Sequence, residues 1–378
     1  MHPHLLGRGG AEVRAEALAR TLDAPLYAGF GAREHIDEDV EVRLAFEDSS
    51  LRRLCTSKIV RDFAGIVGWP AVAELRTFDV LVFSNEGATW YPPGVDQAVV
   101  RYQGSLDQAA YSRNDDFAGV KHRLMSALKR LTLPSTSAYP DVWVTPSTWT
   151  AREMERYLGV RADYICPPPI DVDAFNPRPL DEREGYYLTM SRLVDQKHVD
   201  EVIAAVEEVG ARLVVAGEGP ARERLEAQAS DRVEFVGWVD GAEKRELLED
   251  ASGFLFAGRG EAFGIVTAEA MAAGTPVLAV ASGHTQHQIP RECGIIVERG
   301  CLADAIRRYE LDGIEGSAAE IHAHARALFD QTRFEQTIRE AVDLACERAQ
   351  LSRATLATSP ASASEHQQRQ SRASSDNH

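Results

Sequence analysis

Short apolar runs alternate with helical patterns through the second half of the sequence, and this rhythm restricts the fold more than any other feature. From Tyr186 the runs YYLTMS, RLVVAG, VEFVGW and GFLFAG are separated by helical segments, the first over 199–209. Strands and helices that alternate in this way form a parallel sheet covered on both faces. The series continues through AEAMAAG, TPVLAV and GIIVE. It therefore predicts one complete doubly wound α/β domain.

The first half repeats this pattern less regularly. Its predicted elements are a helix over 11–22, a strand over 79–84, a helix over 117–131 and a strand over 141–147. The chain has 378 residues, more than one hydrophobic core usually supports, so two domains are expected. The prolines of CPPPIDVDAFNPRPL remove backbone donors and disfavour helix, which places the linker between the domains there.

These patterns predict four segments. They are an N-terminal Rossmann-like domain on the acceptor side over 1–165, a linker over 166–184, a C-terminal domain over 185–349 and a disordered tail over 350–378. The tail is expected to be disordered because it has almost no large apolar residues. The chain reaches a glycine-rich turn within ten residues, so the first strand is predicted either as a stub over His4 to Leu6 or as truncated.

Charge and cysteine content exclude several classes of protein. The formal net charge of −17 disfavours nucleic-acid binding, which needs a positive surface. The five cysteines form no C-x-x-C pair, which argues against a disulfide framework or a structural zinc. The sequence has neither a long apolar run nor the charge layout of a signal peptide, so we predict a cytoplasmic protein.

Two basic residues follow the first strand of the second half. In SRLVDQKHVDEV, Arg192 ends a strand and Lys197 precedes a helix. Anions bind where strands end before the N-terminus of a helix, because free N–H groups and the helix dipole point there. The two cations therefore suit a diphosphate. The alternative is that both are ordinary surface charges.

The segment GEAFGIVTAEAMAAGTPV contains two carboxylates eight residues apart, Glu261 and Glu269. We predict a helix capped by Thr267 and ended by Gly274, with Glu269 in its first turn and Glu261 on the preceding loop. From these positions both carboxylates could bind one ligand. In the alternative interpretation Glu269 caps the helix and Glu261 is only solvated.

Taken together, these motifs resemble the retaining nucleotide-sugar glycosyltransferases of family 4. GEAFGIVTAEAMAAGTPV is similar to the E-x7-E signature of that family, and SRLVDQKHVDEVIAAV, VVAGEGP, CPPPIDVDAF and GRGGAE match it in the same order. The resemblance extends to about Ala349. It implies the GT-B fold, in which two doubly wound Rossmann-like domains face a cleft.

The resemblance also implies roles for individual residues. Glu269 would hold the nucleotide ribose, and Glu261 would hold hydroxyls of the transferred sugar. Arg192 and Lys197 would neutralise the leaving diphosphate in place of a metal, so neither a metal nor another cofactor is expected. The remaining implied donor-binding residues are Phe263, Gly264 and Ile265 at the sugar and phosphate, Gly9 and Gly10 from the opposing domain, Val236 and Gly237 near the base, and Gly283.

The sequence departs from the family pattern at two places. Many relatives have a histidine near the reacting sugar where YQGSLDQ has Gly104, and either His122 or His35 is an alternative source of an imidazole. The loop ASGHTQHQI has histidines at 284 and 287 in place of a second glycine and a glutamate that relatives commonly carry. Altered substrate selectivity or reduced activity is expected from these departures.

The implied function is transfer of a sugar, such as one of mannose type, from a GDP- or UDP-sugar to a glycan, a lipid-linked acceptor or a small acceptor, with retention. The alternatives are a silent homologue that binds nucleotide-sugar as a partner or scaffold subunit, and a nucleotide-sugar epimerase of the same fold. The basic helix in GVKHRLMSALKRL is predicted to pack one apolar face on the core. Its alternative role is weak peripheral docking at the inner face of the membrane.

Overall fold

The computed structural model describes residues 1–5, 9–46, 64–106 and 139–358. Its first half contains parallel strands in two hydrogen-bonded groups, β1-β2-β3 and β4-β5-β6-β7. The bounds of β1 to β7 are His2–Leu5, Leu26–Gly31, Val42–Leu44, Val80–Ser84, Ala98–Tyr102, Val142–Thr145 and Tyr164–Ile165. The N–H of Ser84 donates to the carbonyl of Met1 at 2.8 Å, so the β1 edge meets the β4 edge.

The first strand lies slightly earlier than the stub predicted over His4 to Leu6. It comprises His2–Leu5 and pairs in parallel with β2, with His4 opposite Phe30. Leu5 is fully buried and packs with Ala28 of β2 and Ala15 of the following helix. This strand therefore lies between β2 and β4.

The second half forms one parallel sheet of strand order β10-β9-β8-β11-β12-β13. The bounds of β8 to β13 are Tyr187–Met190, Leu213–Ala216, Val233–Gly237, Gly253–Phe256, Val277–Val280 and Gly294–Val297. Leu188 packs into the hydrophobic core on one face, and its neighbour Tyr187 packs into the core on the other. Because successive side chains point to opposite faces, continuous apolar runs fill both cores, as the sequence predicts.

Helices cover both sheets. In the described residues α1 to α10 are Gly10–Leu22, Thr148–Leu158, Val199–Val209, Arg222–Glu226, Gly241–Asp250, Ile265–Ala272, Thr285–Gln288, Leu302–Asp312, Ala318–Phe329 and Gln331–Thr358. The predicted helices at 11–22 and 199–209 are present as α1 and α3. Among the described helices, none combines the length and apolarity needed to cross a bilayer.

The last helix, α10, packs on the first domain, although the sequence pattern assigns its residues up to 349 to the second. Phe334, Ile338 and Ala341 lie in the same buried cluster as Val100 of β5 and Leu18 of α1. Alanines recur along this face of α10, so the helix can approach β5 and β6 closely. The helix also continues to Thr358, past the predicted start of the tail at 350.

Three predictions fall outside the described residues. They concern the helix over 117–131 with its basic segment GVKHRLMSALKRL, the imidazole of His122, and the tail after Thr358.

The buried guanidinium of Arg183 in the linker forms hydrogen bonds with the second domain. Nη1 donates to Thr275 Oγ1 at 2.6 Å and to the carbonyl of Ala251 at 2.9 Å, and Nη2 donates to the carbonyl of Gly274 at 2.9 Å. Burial lowers the pKa of Arg183 to about 10. The side chain thus satisfies carbonyl groups at the ends of α5 and α6.

We expect Arg183→Met to lower the free energy of unfolding by about 3 kcal/mol, because it leaves several buried carbonyl groups without a donor. The measurement is thermal unfolding followed by circular dichroism. Arg307→Met is the matched control, since Arg307 forms exposed ion pairs with Asp304 and Glu208, and its melting temperature should stay close to that of the unmodified protein. Equal melting temperatures for the two variants would contradict the assignment.

Candidate active site

The predicted cationic loop lies at the carboxyl edge of the second sheet, where β8 and β9 end. Gly217 follows β9 with φ of +128°, and a Cβ at this position would overlap the carbonyl group of Ser191. A Cβ at Gly219 would overlap the backbone of Leu193 in the same way. The glycines of VVAGEGP therefore bring the backbone of this turn against the loop that contains Arg192 and Lys197.

Lys197 and Glu261 meet at this edge, although they are 64 residues apart. Lys197 Nζ donates to Glu261 Oε2 at 2.5 Å, and both side chains are about a quarter exposed. Lys197 ends a short 3-10 turn, Asp195–Lys197, immediately before α3, and Glu261 lies on the loop before α6. The structure thus brings together two of the predicted catalytic residues in a position that solvent can reach.

A second ion pair lies further along α6. Lys244 Nζ of α5 donates to Glu269 Oε1 at 2.6 Å, and the Glu269 side chain is 17% exposed. Sequence reasoning assigned no role to Lys244. A signal was present, because lysine occurs only five times in the sequence and two of the five contact the paired glutamates.

The start of α6 differs from the prediction. The helix begins at Ile265, after Gly264 with φ of +86°, so Thr267 is its third residue rather than its cap and Glu269 lies beyond its first turn. The Thr267 hydroxyl donates to the carbonyl of Gly264 at 2.7 Å and also meets Gln288. Glycine supplies the left-handed turn that starts this helix, and the threonine fixes that turn from within.

The loop after β12 packs against the backbone of Glu261. Gly283 has φ of +59°, and a Cβ there would lie 2.5 Å from the backbone nitrogen of Glu261. The N–H of His284 donates to the carbonyl of Glu261 at 2.8 Å. The His284 ring stacks on buried Phe263 at 5.8 Å, and burial followed by the neighbouring His287 lowers its pKa to about 4. His284 is therefore a neutral packing group near neutral pH.

The first domain reaches the same loop. A Cβ at Gly10 would lie 2.7 Å from Ile265 Cδ1, so α1 begins against the start of α6. Ser147 Oγ donates to the carbonyl of Ala262 at 2.6 Å, and Thr150 Oγ1 meets the same oxygen at 3.3 Å. Sequence reasoning missed Ser147 and Thr150, whose partner lies more than 100 residues away.

The other predicted residues lie around this centre. Gly9 is exposed beside Gly10, and its N–H donates to Glu12 Oε2 at 3.2 Å. Gly237 ends β10 with φ of +79°, next to half-buried Val236, and its carbonyl accepts from Gly217 N–H at 2.6 Å.

Arg192 has an exposed side chain that forms no ion pair within the described part of the chain. Across the same described residues, no group of three histidine, cysteine, aspartate or glutamate side chains could hold a metal ion.

Two solved structures share this architecture of two facing parallel α/β sheets. The Anabaena protein HepE in complex with UDP and glucose has a TM-score of 0.66 and 18% sequence identity, covering 90% of this chain and 98% of its own. Sucrose-phosphate synthase from Thermosynechococcus elongatus has a TM-score of 0.67 and 20% identity, covering 92% of each chain. The likeness confirms the predicted GT-B fold.

Sequence comparison assigns the family. The family model described as Glycosyl transferases group 1 matches residues 173–327. Similarity extends to the GDP-mannose-dependent alpha-(1-6)-phosphatidylinositol monomannoside mannosyltransferase of Mycobacterium tuberculosis, at 31% identity over 336 residues, 80% of this chain and 83% of that protein. The dimannoside mannosyltransferase of the same organism is 28% identical over 218 residues, 52% of this chain and 57% of its own length. The chain therefore belongs to the group 1 glycosyltransferases.

The close approach of Gly283 to Glu261 generates a stability prediction. Gly283→Ala forces a side chain both into a left-handed backbone and against the Glu261 backbone, so we expect a loss of at least about 2 kcal/mol and a weakened nucleotide affinity. Gly300→Ala is the matched control, because Gly300 has φ of +79° but no atom within 4 Å of the added Cβ. Its loss should be about 1 kcal/mol with unchanged affinity. Thermal unfolding and calorimetric nucleotide titration measure both effects, and equal results for the two variants would be contrary evidence.

Proposed function

We propose that the protein is a retaining glycosyltransferase that moves a sugar from a nucleotide diphosphate to an acceptor. The observation that carries the proposal is the pairing of Lys197 Nζ with Glu261 Oε2 at 2.5 Å beside the start of α6. Lys197, a cation suited to a phosphate, and Glu261, a carboxylate suited to sugar hydroxyls, therefore lie next to each other. Membership of the group 1 glycosyltransferases supports the same reaction.

The charges at this point fit cleavage of a glycosyl–phosphate bond. The departing diphosphate gains negative charge, and the N-terminal end of α6 with the amides of Phe263, Gly264 and Ile265 favours an anion there. Lys197, together with exposed Arg192, would neutralise the leaving group and take the place of a metal. Such preorganised partners typically lower a barrier by roughly 3–4 kcal/mol each.

In this proposal Glu269 and Glu261 bind the uncharged parts of the donor, which are the ribose and the transferred sugar. Glu269, held by Lys244, would accept hydrogen bonds from the ribose hydroxyls, with Val236 and Gly237 near the base. Glu261 would accept hydrogen bonds from the transferred sugar and stabilise positive charge near its anomeric carbon. Gly9 and Gly10 would approach the phosphates from the first domain, and Gly283 would keep Glu261 in position.

GDP-mannose is the proposed donor, because the mycobacterial relatives are GDP-mannose-dependent by name. Those names also specify phosphatidylinositol mannosides, which supports a lipid-linked acceptor here. The enzyme would then work in the cytoplasm at the inner face of the membrane, with weak peripheral contact.

The silent homologue is retained as the second candidate function, because Gly104 occupies the position where the resembling family has a histidine.

The first test of this function is product release from a panel of nucleotide-sugars. We expect GDP to be released from GDP-mannose when membrane extract supplies the acceptor, at a rate that a chelator such as EDTA does not change. Chromatography of the nucleotides measures the release, and UDP-glucose serves as the comparison donor. Binding of GDP-mannose with no release in any mixture would support the silent homologue instead.

Two substitutions test the roles in the ion pair. Glu261→Gln should reduce release by about two to three orders of magnitude and leave nucleotide affinity nearly unchanged, because it removes a charge that acts on the reacting sugar. Lys197→Met should weaken nucleotide affinity about tenfold or more, because it removes a charge from the diphosphate.

Calorimetric titration of GDP and the release assay measure both quantities. Arg224→Met is the matched control and should change neither quantity. Arg224 forms an exposed ion pair with Asp195, which belongs to the same turn as Lys197. Unchanged turnover in Glu261→Gln would remove that carboxylate from the mechanism.

A further inference from the structure

Arg14 of α1 is a buried guanidinium at the carboxyl edge of the first sheet. The residue is 6% exposed and lies one helical turn after Gly10. Its Nη2 donates to Asn85 Oδ1 at 2.7 Å, and its Cζ lies 4.8 Å from the centre of the Tyr102 ring. Asn85 follows β4 and Tyr102 ends β5, so the guanidinium sits where these two parallel strands end.

The charge of Arg14 has no contacting counter-ion. Within the described residues, no carboxylate lies in ion-pair distance of its guanidinium, and its buried Nε has no hydrogen-bond partner. Glu12 interacts with the Arg14 charge only at long range. Its carboxylate instead accepts a hydrogen bond from the N–H of Gly9 and lies 3.8 Å from His2 Nε2. Burial lowers the pKa of Arg14 as a result. A buried cation without an anion is costly, so a bound ligand that supplies negative charge would stabilise it.

The missing side chain at Gly104 makes room for this cation. A Cβ at Gly104 would lie 2.4 Å from Arg14 Nη1, 2.5 Å from Nη2 and 2.6 Å from Cζ. Any larger residue would displace the guanidinium from its place between Asn85 and Tyr102. The glycine that departs from the family pattern is therefore matched to an arginine 90 residues earlier in the chain.

The position of Arg14 relates it to the cleft. Gly10 touches Ile265 at the start of α6, where the proposed function places the donor phosphates. Four residues along a helix correspond to about 6 Å, so Arg14 lies one turn away from that contact, on the side of the first domain. Ligands of parallel α/β sheets bind outside the carboxyl ends of the strands, which is where Arg14 lies.

We propose that Arg14 binds a phosphate group of a substrate and forms the anion subsite of the first domain. The proposal rests on the proposed function for the molecule that carries the phosphate, which is either the nucleotide donor or a phosphorylated acceptor. A guanidinium presents paired N–H donors that match phosphate oxygens. In Arg14, Nη2 donates to Asn85, while Nε has no protein acceptor among the described residues.

Calorimetric titrations with two probes test the proposal. GDP is titrated into the free protein, and glycerol phosphate is titrated into the free protein and into the GDP-saturated protein. The variants are Arg14→Met, which removes the charge, Arg14→Lys, which keeps it as a point charge, and Gly104→Ala, which displaces the guanidinium. Arg20→Met is the matched control, because Arg20 lies on the same helix in exposed ion pairs with Asp37 and Asp39.

We expect Arg14→Met and Gly104→Ala to weaken one of the two probes at least about tenfold, Arg14→Lys to weaken it less, and Arg20→Met to leave both unchanged. A loss for GDP assigns the phosphate to the donor, and a loss for glycerol phosphate assigns it to the acceptor. The proposal is overturned if Arg14→Met binds both probes as the unmodified protein does, or if the unmodified protein binds neither.

Melting temperatures in phosphate-free buffer separate ligand binding from a structural role. If the charge awaits a ligand, Arg14→Met should be at least as stable as the unmodified protein, because it removes a buried cation without a contacting anion. A destabilised variant with unchanged probe binding would show that Arg14 serves only to hold Asn85 and Tyr102 in place, and it would refute the proposal. Arg14-dependent phosphate binding without any sugar transfer would refute the proposed function alone.

Discussion

Backbone packing that only glycine allows holds the carboxyl edge of the second sheet together, and the ligand-binding side chains proposed there depend on it. Gly217 brings one turn against Ser191, and Gly283 brings another against Glu261. Side chains from loops more than 60 residues apart can then meet, as Lys197 and Glu261 do. The Lys197 and Glu261 loops also meet directly, because the N–H of Arg259 donates to the carbonyl of Gln196 at 3.1 Å.

The sequence predicted the repeating features of the molecule well. The apolar runs became buried parallel strands, and α1 and α3 lie where the helical periodicity placed them. The start of α6 was wrong, because Thr267 is a good capping residue in isolation while Gly264 in the left-handed region begins the helix instead. Lys244 and Ser147 were missed for another reason. Their partners are 25 and 115 residues away, and spacing along the chain does not reveal such contacts.

Charge is distributed in the site so that each acidic group already has a basic partner. Lys197 neutralises Glu261 and Lys244 neutralises Glu269, which limits repulsion between the carboxylates and an incoming diphosphate in a chain of net charge −17. Arg192 and Arg14 differ from these lysines, because neither contacts a carboxylate in the described residues. One is exposed beside the second sheet and the other is buried beside the first.

The return of α10 to the first domain means that the chain passes between the domains twice. The two passages are bonded to each other, since the N–H of Ile170 in the linker donates to the carbonyl of Phe329 at 3.0 Å, just before α10. A change in the angle between the domains would therefore have to bend both passages together. The hydrogen bonds from Ser147 and Thr150 to Ala262 join the two domains at a separate point, away from these passages. The domains are thus tied to each other at two places in the structure.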